Sequence, residues 1–84
     1  MNKKELLDKL KAIIEPYVQN EDGFSNLTDN TDFVKDLEIN SANLVDIVLD
    51  IEDEFDIEID NEAMEKMLSV KTSIEIIEEK LRDK

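Results

Sequence analysis

Ser41 is the residue of this chain whose type and position point to chemistry, and the chemistry they point to is attachment. It follows Asn40 at the head of a segment in which Leu44, Val48, Ile51 and Phe55 recur at helical spacing, with Val45 and Ile47 widening the stripe. Residues 41–55 therefore read as an amphipathic helix of about four turns. Just before it, Leu37 and Ile39 alternate with charged residues, which breaks the helical period, and Asn and Ser are residue types that cap exposed amides. A hydroxyl at that point lies in solvent beside unpaired backbone N–H groups and the positive end of the helix dipole, a favourable place to hold a phosphate. A serine at a helix start most often serves only as a cap, worth about 1 kcal/mol. Here Asn40 can cap by itself and leave the serine free.

The residues that are missing narrow the chemistry further. The chain contains no cysteine and no histidine, so it offers no thiol nucleophile and no imidazole to take a proton from Ser41. Ser41 is therefore not a self-sufficient nucleophile, the chain is not expected to be an enzyme, and any modification of Ser41 calls for a separate enzyme. Without cysteine there is also neither a disulfide nor a thiolate metal site.

Charge supplies the next constraint. The formal net charge is -13, and between Asp36 and Glu65 there are 12 acidic residues and no basic one. Nucleic acid is repelled by such a surface, whereas a basic protein face is attracted and oriented by it. A calcium-binding helix-loop-helix is the rival for an acidic helical chain. Its loop needs alternating oxygen ligands around a central glycine, and neither Glu21-Asp22-Gly23 nor Asp50 to Asp60 provides that series. The alternative that does fit is an unmodified acidic helical module binding a basic partner protein.

The residues around Ser41 resemble the acyl carrier protein family, whose pattern is Asp-Leu, two variable residues, Asp-Ser-Leu, and then an acidic amphipathic helix ending in Glu-Glu-Phe or similar. Here these become Asp36-Leu37, Asn40-Ser41-Ala42 and Glu52-Asp53-Glu54-Phe55, and the shared register runs without a gap from about Phe33 to Ile77. The resemblance implies 4'-phosphopantetheine, taken from coenzyme A and placed on Ser41 by a phosphopantetheinyl transferase. Its thiol then carries an acyl group as a thioester to acyl-transferring or condensing enzymes of fatty-acid, polyketide or other secondary pathways. Those enzymes grip the acidic helix with basic patches, at positions that correspond here to Asp46, Glu52, Asp53, Glu54 and Glu62, with Asn40 and Ala42 on the rim. Val45, Val48, Ile59, Met64 and Ile77 are the candidates for lining a gap where an acyl chain hides from water. The chain departs from the pattern at Asn40 (Asp in the family), Ala42 (Leu), Asn43 (acidic) and Glu38 (Gly), which points to a specialised carrier serving a dedicated pathway.

The rest of the chain must hold this segment in place. At 84 residues it reads as one domain, 1–84, near the size at which a single core only just suffices. Leu6, Leu7, Leu10, Ile13 and Ile14 form the inner stripe of a first helix, Lys3 to Glu15, which Pro16 ends or kinks. Residues 19–31, with the only glycine, Gly23, read as a long loop pinned by Phe24 and Leu27, with Phe33, Val34 and Leu37 anchoring its far end. Asp56 to Asp60 alternates like a strand but is too short and lacks a partner, so it reads as a connection with Ile57 or Ile59 tucked inward. Asp60 or Asn61 caps a short helix that turns Met64, Met67 and Leu68 inward. Ser69 caps a last helix carrying Val70, Ile74, Ile77 and Leu81, with Lys80, Arg82 and Lys84 near its end. The predicted architecture is all-α: a four-helix bundle with a short third helix and a long first loop. No stretch is long enough to span a membrane and the N-terminal segment lacks the apolar core of a signal peptide, so a cytoplasmic location is expected, and the net charge predicts a monomer.

Overall fold

The computed structural model describes residues 2–83, and Lys84, expected beside the last helix end, lies outside them. Four helices carry the fold, with one extra helical turn in the first connection. Helix α1 (Lys3–Ile14) begins where the Asn2 side chain accepts the Glu5 N–H, and buries Leu6, Leu10 and Ile14 one turn apart. Leu7 and Ile13 lie half-buried beside that row. Pro16 converts the helix end into a 3-10 turn, Glu15–Tyr17, because it has no N–H to continue the α-helical ladder.

The long first connection is more ordered than its polar composition suggests. It contains α2 (Glu21–Ser25), whose start is capped by the Asn20 side chain accepting the Gly23 N–H. An Asn cap followed by two acidic residues was the available signal, but a lone glycine within five residues outweighed it as a loop marker. Gly23 is required by close approach: a Cβ there would fall far inside contact distance of the Asp36 carbonyl oxygen. The same carbonyl accepts a 2.8 Å bond from the Asn20 side chain. The Gln19 and Asn20 N–H groups both donate to the Leu37 carbonyl at 3.1 Å. Phe24 and Leu27 are half-buried against the core.

Farther along, residues 29–33 lie against the start of the last helix. Phe33 N–H donates to the Leu68 carbonyl at 2.9 Å, and Val70 and Lys71 donate to the Thr31 and Asp29 carbonyls at 3.0 Å. Phe33, Leu37 and Ile39 are buried, but Val34 is 39% exposed and does not anchor the segment. The Asp32 carboxylate accepts the N–H groups of Val34 and Lys35, and holding the turn this way points the Val34 side chain outward.

A 3-10 turn, Ser41–Asn43, leads directly into α3 (Leu44–Phe55), which buries Ile47, Val48, Ile51 and Phe55. Leu44 is only half-buried. Val45, expected on the inward stripe, is instead 49% exposed. At about 100° per residue it sits on the opposite flank from Ile47 and Ile51, so only one of the two widening residues can face the core. The helix ends at Asp56, which takes the left-handed conformation (φ 53°) and donates its N–H to the Glu52 carbonyl.

Ile57 tucks inward in the connection that follows, and Ile59 is half-buried. Helix α4 (Asn61–Lys66) is capped by Asp60, and α5 (Val70–Arg82) by a reciprocal Ser69–Thr72 capping box. Met67 is buried and Met64 half-buried, whereas Leu68 is 47% exposed. Leu68 falls in the break between α4 and α5, where its backbone carbonyl is tied to Phe33 and its side chain is left outside. Helix α1 packs on both α3 and α5, and α4 rests on α5. The described residues contain no strand, only an isolated bridge between Asp32 and Ser69. Among the described residues no helix is long and apolar enough to cross a membrane.

Candidate functional site

Ser41 lies exposed at the first position of the 3-10 turn. Its neighbour does the capping: the Asn40 side chain accepts the Ala42 N–H at 2.9 Å, and the Asn40 carbonyl accepts the Asn43 N–H at 2.8 Å. The Ser41 carbonyl is used in turn by the Leu44 N–H. Ser41 Oγ makes no hydrogen bond to any described residue. The hydroxyl is thus presented at the head of a helical segment without being spent on the fold.

The backbone leading to it is fixed from below. The Asp36 carboxylate accepts the Asp32 N–H at 2.7 Å, the Asp32 carbonyl accepts the N–H groups of Asp36 and Leu37, and Leu37 is fully buried. The Asp-Leu pair of the motif therefore holds the turn before the serine. Glu38 then adopts φ 55°, and Ile39 N–H returns to the Phe33 carbonyl at 3.0 Å. The family's usual glycine at this position has a physical reason here, since the left-handed region costs a residue with a Cβ about 1–2 kcal/mol.

The acidic residues divide into several roles. Asp46 and Asp53 are exposed on α3. Asp50, one turn from Asp46, accepts the Tyr17 hydroxyl at 3.2 Å, a contact the sequence did not suggest and one that gives this close pair of carboxylates a structural return. Partial desolvation, the Asp50 charge, that hydrogen bond and the Asp46 charge together raise the Tyr17 hydroxyl above its ordinary pKa. Glu54 pairs with Lys9 at 3.1 Å, and Glu62 with Lys66 at 3.7 Å on its own helix. Both pairs are exposed and readily exchanged for other cations.

Glu52 also has a partner within the fold. It is half-buried, and its carboxylate accepts the Ile59 N–H at 2.7 Å, tying the end of α3 to the connection before α4. The helical pattern places Glu52 on an acidic face, but only the path of residues 56–59 reveals that an amide lies within its reach.

Of the proposed lining residues, Val48 and Ile77 are buried and Ile59 and Met64 are half-buried. Val45 lies on the surface together with Leu49, which is 53% exposed one turn farther along α3. Leu49 went unmarked in the sequence because it was neither on the inner stripe nor charged. With Ala42 it extends an exposed apolar row from Ser41 along α3, flanked by Asp46, Asp50 and Asp53. Among the described residues no group of three or more acidic side chains converges as a metal site.

Comparison with known proteins places this arrangement in a class. Residues 8–79 match the family described as "Phosphopantetheine attachment site". Proteins named acyl carrier protein match over nearly the whole chain. The one from Lactobacillus acidophilus is 32% identical over 92% of this chain and 94% of its own length. That from Petrotoga mobilis is 33% identical over 96% and 93%, and that from Thermotoga maritima 32% over 95% and 96%. The chain belongs to the acyl carrier protein family, and its cofactor is phosphopantetheine.

Proposed function

We propose that Ser41 is the residue that carries 4'-phosphopantetheine, and that this chain is a monomeric, cytoplasmic acyl carrier of a dedicated biosynthetic pathway. The observation that carries the reading is the exposed Ser41 hydroxyl left unbonded because Asn40 caps the turn in its place. When bound, the arm supplies a thiol that the chain itself lacks, and holds an acyl group as a thioester. The chain's own residues do three other things. Asp36, Leu37 and Ile39 hold the backbone before Ser41 in one position, so a transferase meets a fixed loop and not a mobile one.

Asp46 and Asp53, joined by Glu54 and Glu62 when Lys9 and Lys66 are displaced, attract basic patches on partner enzymes and raise the encounter rate. Val45 and Leu49 give such a partner an apolar contact beside the serine. Docking then concentrates the acyl group at each partner's active site, with the flexible arm setting the effective concentration. Replacement of the usual Asp, Leu and acidic residue by Asn40, Ala42 and Asn43 removes two charges and one apolar contact from the rim, which favours a dedicated partner set over a general fatty-acid machinery.

Intact-mass measurement after co-expression with a phosphopantetheinyl transferase tests the assignment. The wild-type chain gains the mass of one arm, and Ser41→Ala gains none. A chain that stays unmodified with several transferases, or a Ser41→Ala variant that still gains the mass, would overturn it and leave an unmodified acidic module.

A further inference from the structure

Among the described residues, two other than glycine hold a positive φ, and only one of them has a reason inside the fold. Asp56 (φ 53°) ends α3, where the left-handed conformation closes the helix, and Asp is among the residue types that tolerate it. Glu38 (φ 55°) ends no helix and is of a type that seldom visits that region. Its neighbours Leu37 and Ile39 are buried, and their N–H groups are bonded to the Asp32 and Phe33 carbonyls, so the backbone is pinned on both sides of it. Glu38 itself is exposed, and neither its amide, its carbonyl nor its carboxylate bonds to any described residue.

A strained residue that returns nothing to the fold is explained by what its side chain offers outside it. Here that is charge. From Leu37 to Val45, Glu38 is the only charged residue. Asp36, the acid just before this stretch, spends its carboxylate on the Asp32 N–H, and Asn40 and Asn43 beside the serine are neutral. Three residues span at most about 11 Å of chain, so Glu38 stands at the rim of the Ser41 site. The pinned loop holds its backbone in one place before a partner arrives, which lowers the entropy lost on pairing.

We infer that Glu38 is a specificity residue: its carboxylate receives an arginine of the enzyme that loads or removes the acyl group, and so selects that enzyme over others able to use the same arm. This rests on the carrier reading and deepens it by naming the contact that marks a dedicated partner. A guanidinium is the group that fits, because its forked donors meet both oxygens of a carboxylate carried on a fixed loop. Glycine at this position would relax the backbone and lose the contact, so the strain and the selectivity have one origin.

The test assays acyl transfer to and from the arm-bearing protein with the acyl-loading and condensing enzymes of its source organism, purified one by one. Wild type is compared with Glu38→Gln, which keeps the side chain's shape and removes its charge, and with Glu38→Gly. With at least one enzyme, KM rises roughly tenfold in both variants while kcat is unchanged. The gap between wild type and Glu38→Gln narrows as salt rises from about 0.1 to 1 M, and the melting temperature of Glu38→Gln stays at the wild-type value. On that enzyme one arginine, exchanged for glutamate, raises KM for the wild type and restores transfer to Glu38→Arg. Equal KM for wild type and Glu38→Gln with every enzyme, a salt-independent difference, or the absence of an arginine whose exchange restores Glu38→Arg overturns the inference. If that happens while the arm's mass is present on Ser41, the carrier reading stands; if Ser41 takes up no arm, both fall.

Discussion

The two flanks of Ser41 are built on opposite plans. Before it, residues 29–39 bury Thr31, Phe33, Leu37 and Ile39, and their backbone is bonded to residues 19–20 on one side and to residues 68–71 on the other. After it, the 3-10 turn and α3 commit one face to the core and leave Ala42, Val45, Asp46, Leu49 and Asp53 in solvent. The irregular flank is thus the fixed one, while the regular helix supplies the open surface. A loop can serve as an anchor when its carbonyls and amides are paired and its apolar side chains are interior, which is the accounting any buried connection has to satisfy.

Substitution on either side should break the comparison most visibly. Phe33→Ala removes a ring that is 1% exposed and is expected to cost about 3–5 kcal/mol in urea unfolding. Leu49→Ala, on a side chain 53% exposed, is expected to stay within about 0.5 kcal/mol. Equal losses at the two positions would erase the distinction between anchor and surface.

A smaller and opposite effect is expected at Glu38, where the anchor carries its own strain. Glu38→Gly relieves the left-handed backbone and is expected to raise stability by about 1 kcal/mol without altering modification of Ser41. A loss of stability there would mean that the Glu38 side chain is worth more to the loop than the conformation costs.

The smallest effect concerns the tie between the first helix and the open face. The Tyr17 hydroxyl, bonded to Asp50, and Lys3, bonded to Asp29, both have pKa values raised above their ordinary ones. Each therefore adds stability that is fully present below its unfolded-state pKa and is lost as pH rises through the folded one. Melting temperature should fall more steeply above pH ~10 in the wild type than in Tyr17→Phe, which removes one of the two groups. Parallel curves would place the alkaline loss elsewhere.

Helix periods, caps and the family motif were legible in the sequence because each depends on neighbours within one turn. Leu6, Leu10 and Ile14, the Asp60 and Ser69 caps and the Asn40-Ser41 start are all of this kind. Val34, Val45 and Leu68 misled for the complementary reason. They are apolar residues in apolar surroundings, and only the path of the backbone decided that they point outward. The bond of the Glu52 carboxylate to an amide seven residues on was illegible for the same reason, since only the path of the connection brings that amide to it.

The order of residues by itself determined an all-helical chain, an acidic face and a serine at a helix start, because periodicity, charge and capping act locally along the chain. Tertiary structure alone decided that Gly23 must lie against Asp36, that the Glu52 carboxylate meets the Ile59 amide and that Ser73 Oγ is buried with no hydrogen bond to any described residue. Burial and hydrogen-bond satisfaction depend on which distant segments meet, and that is set only when the whole bundle closes.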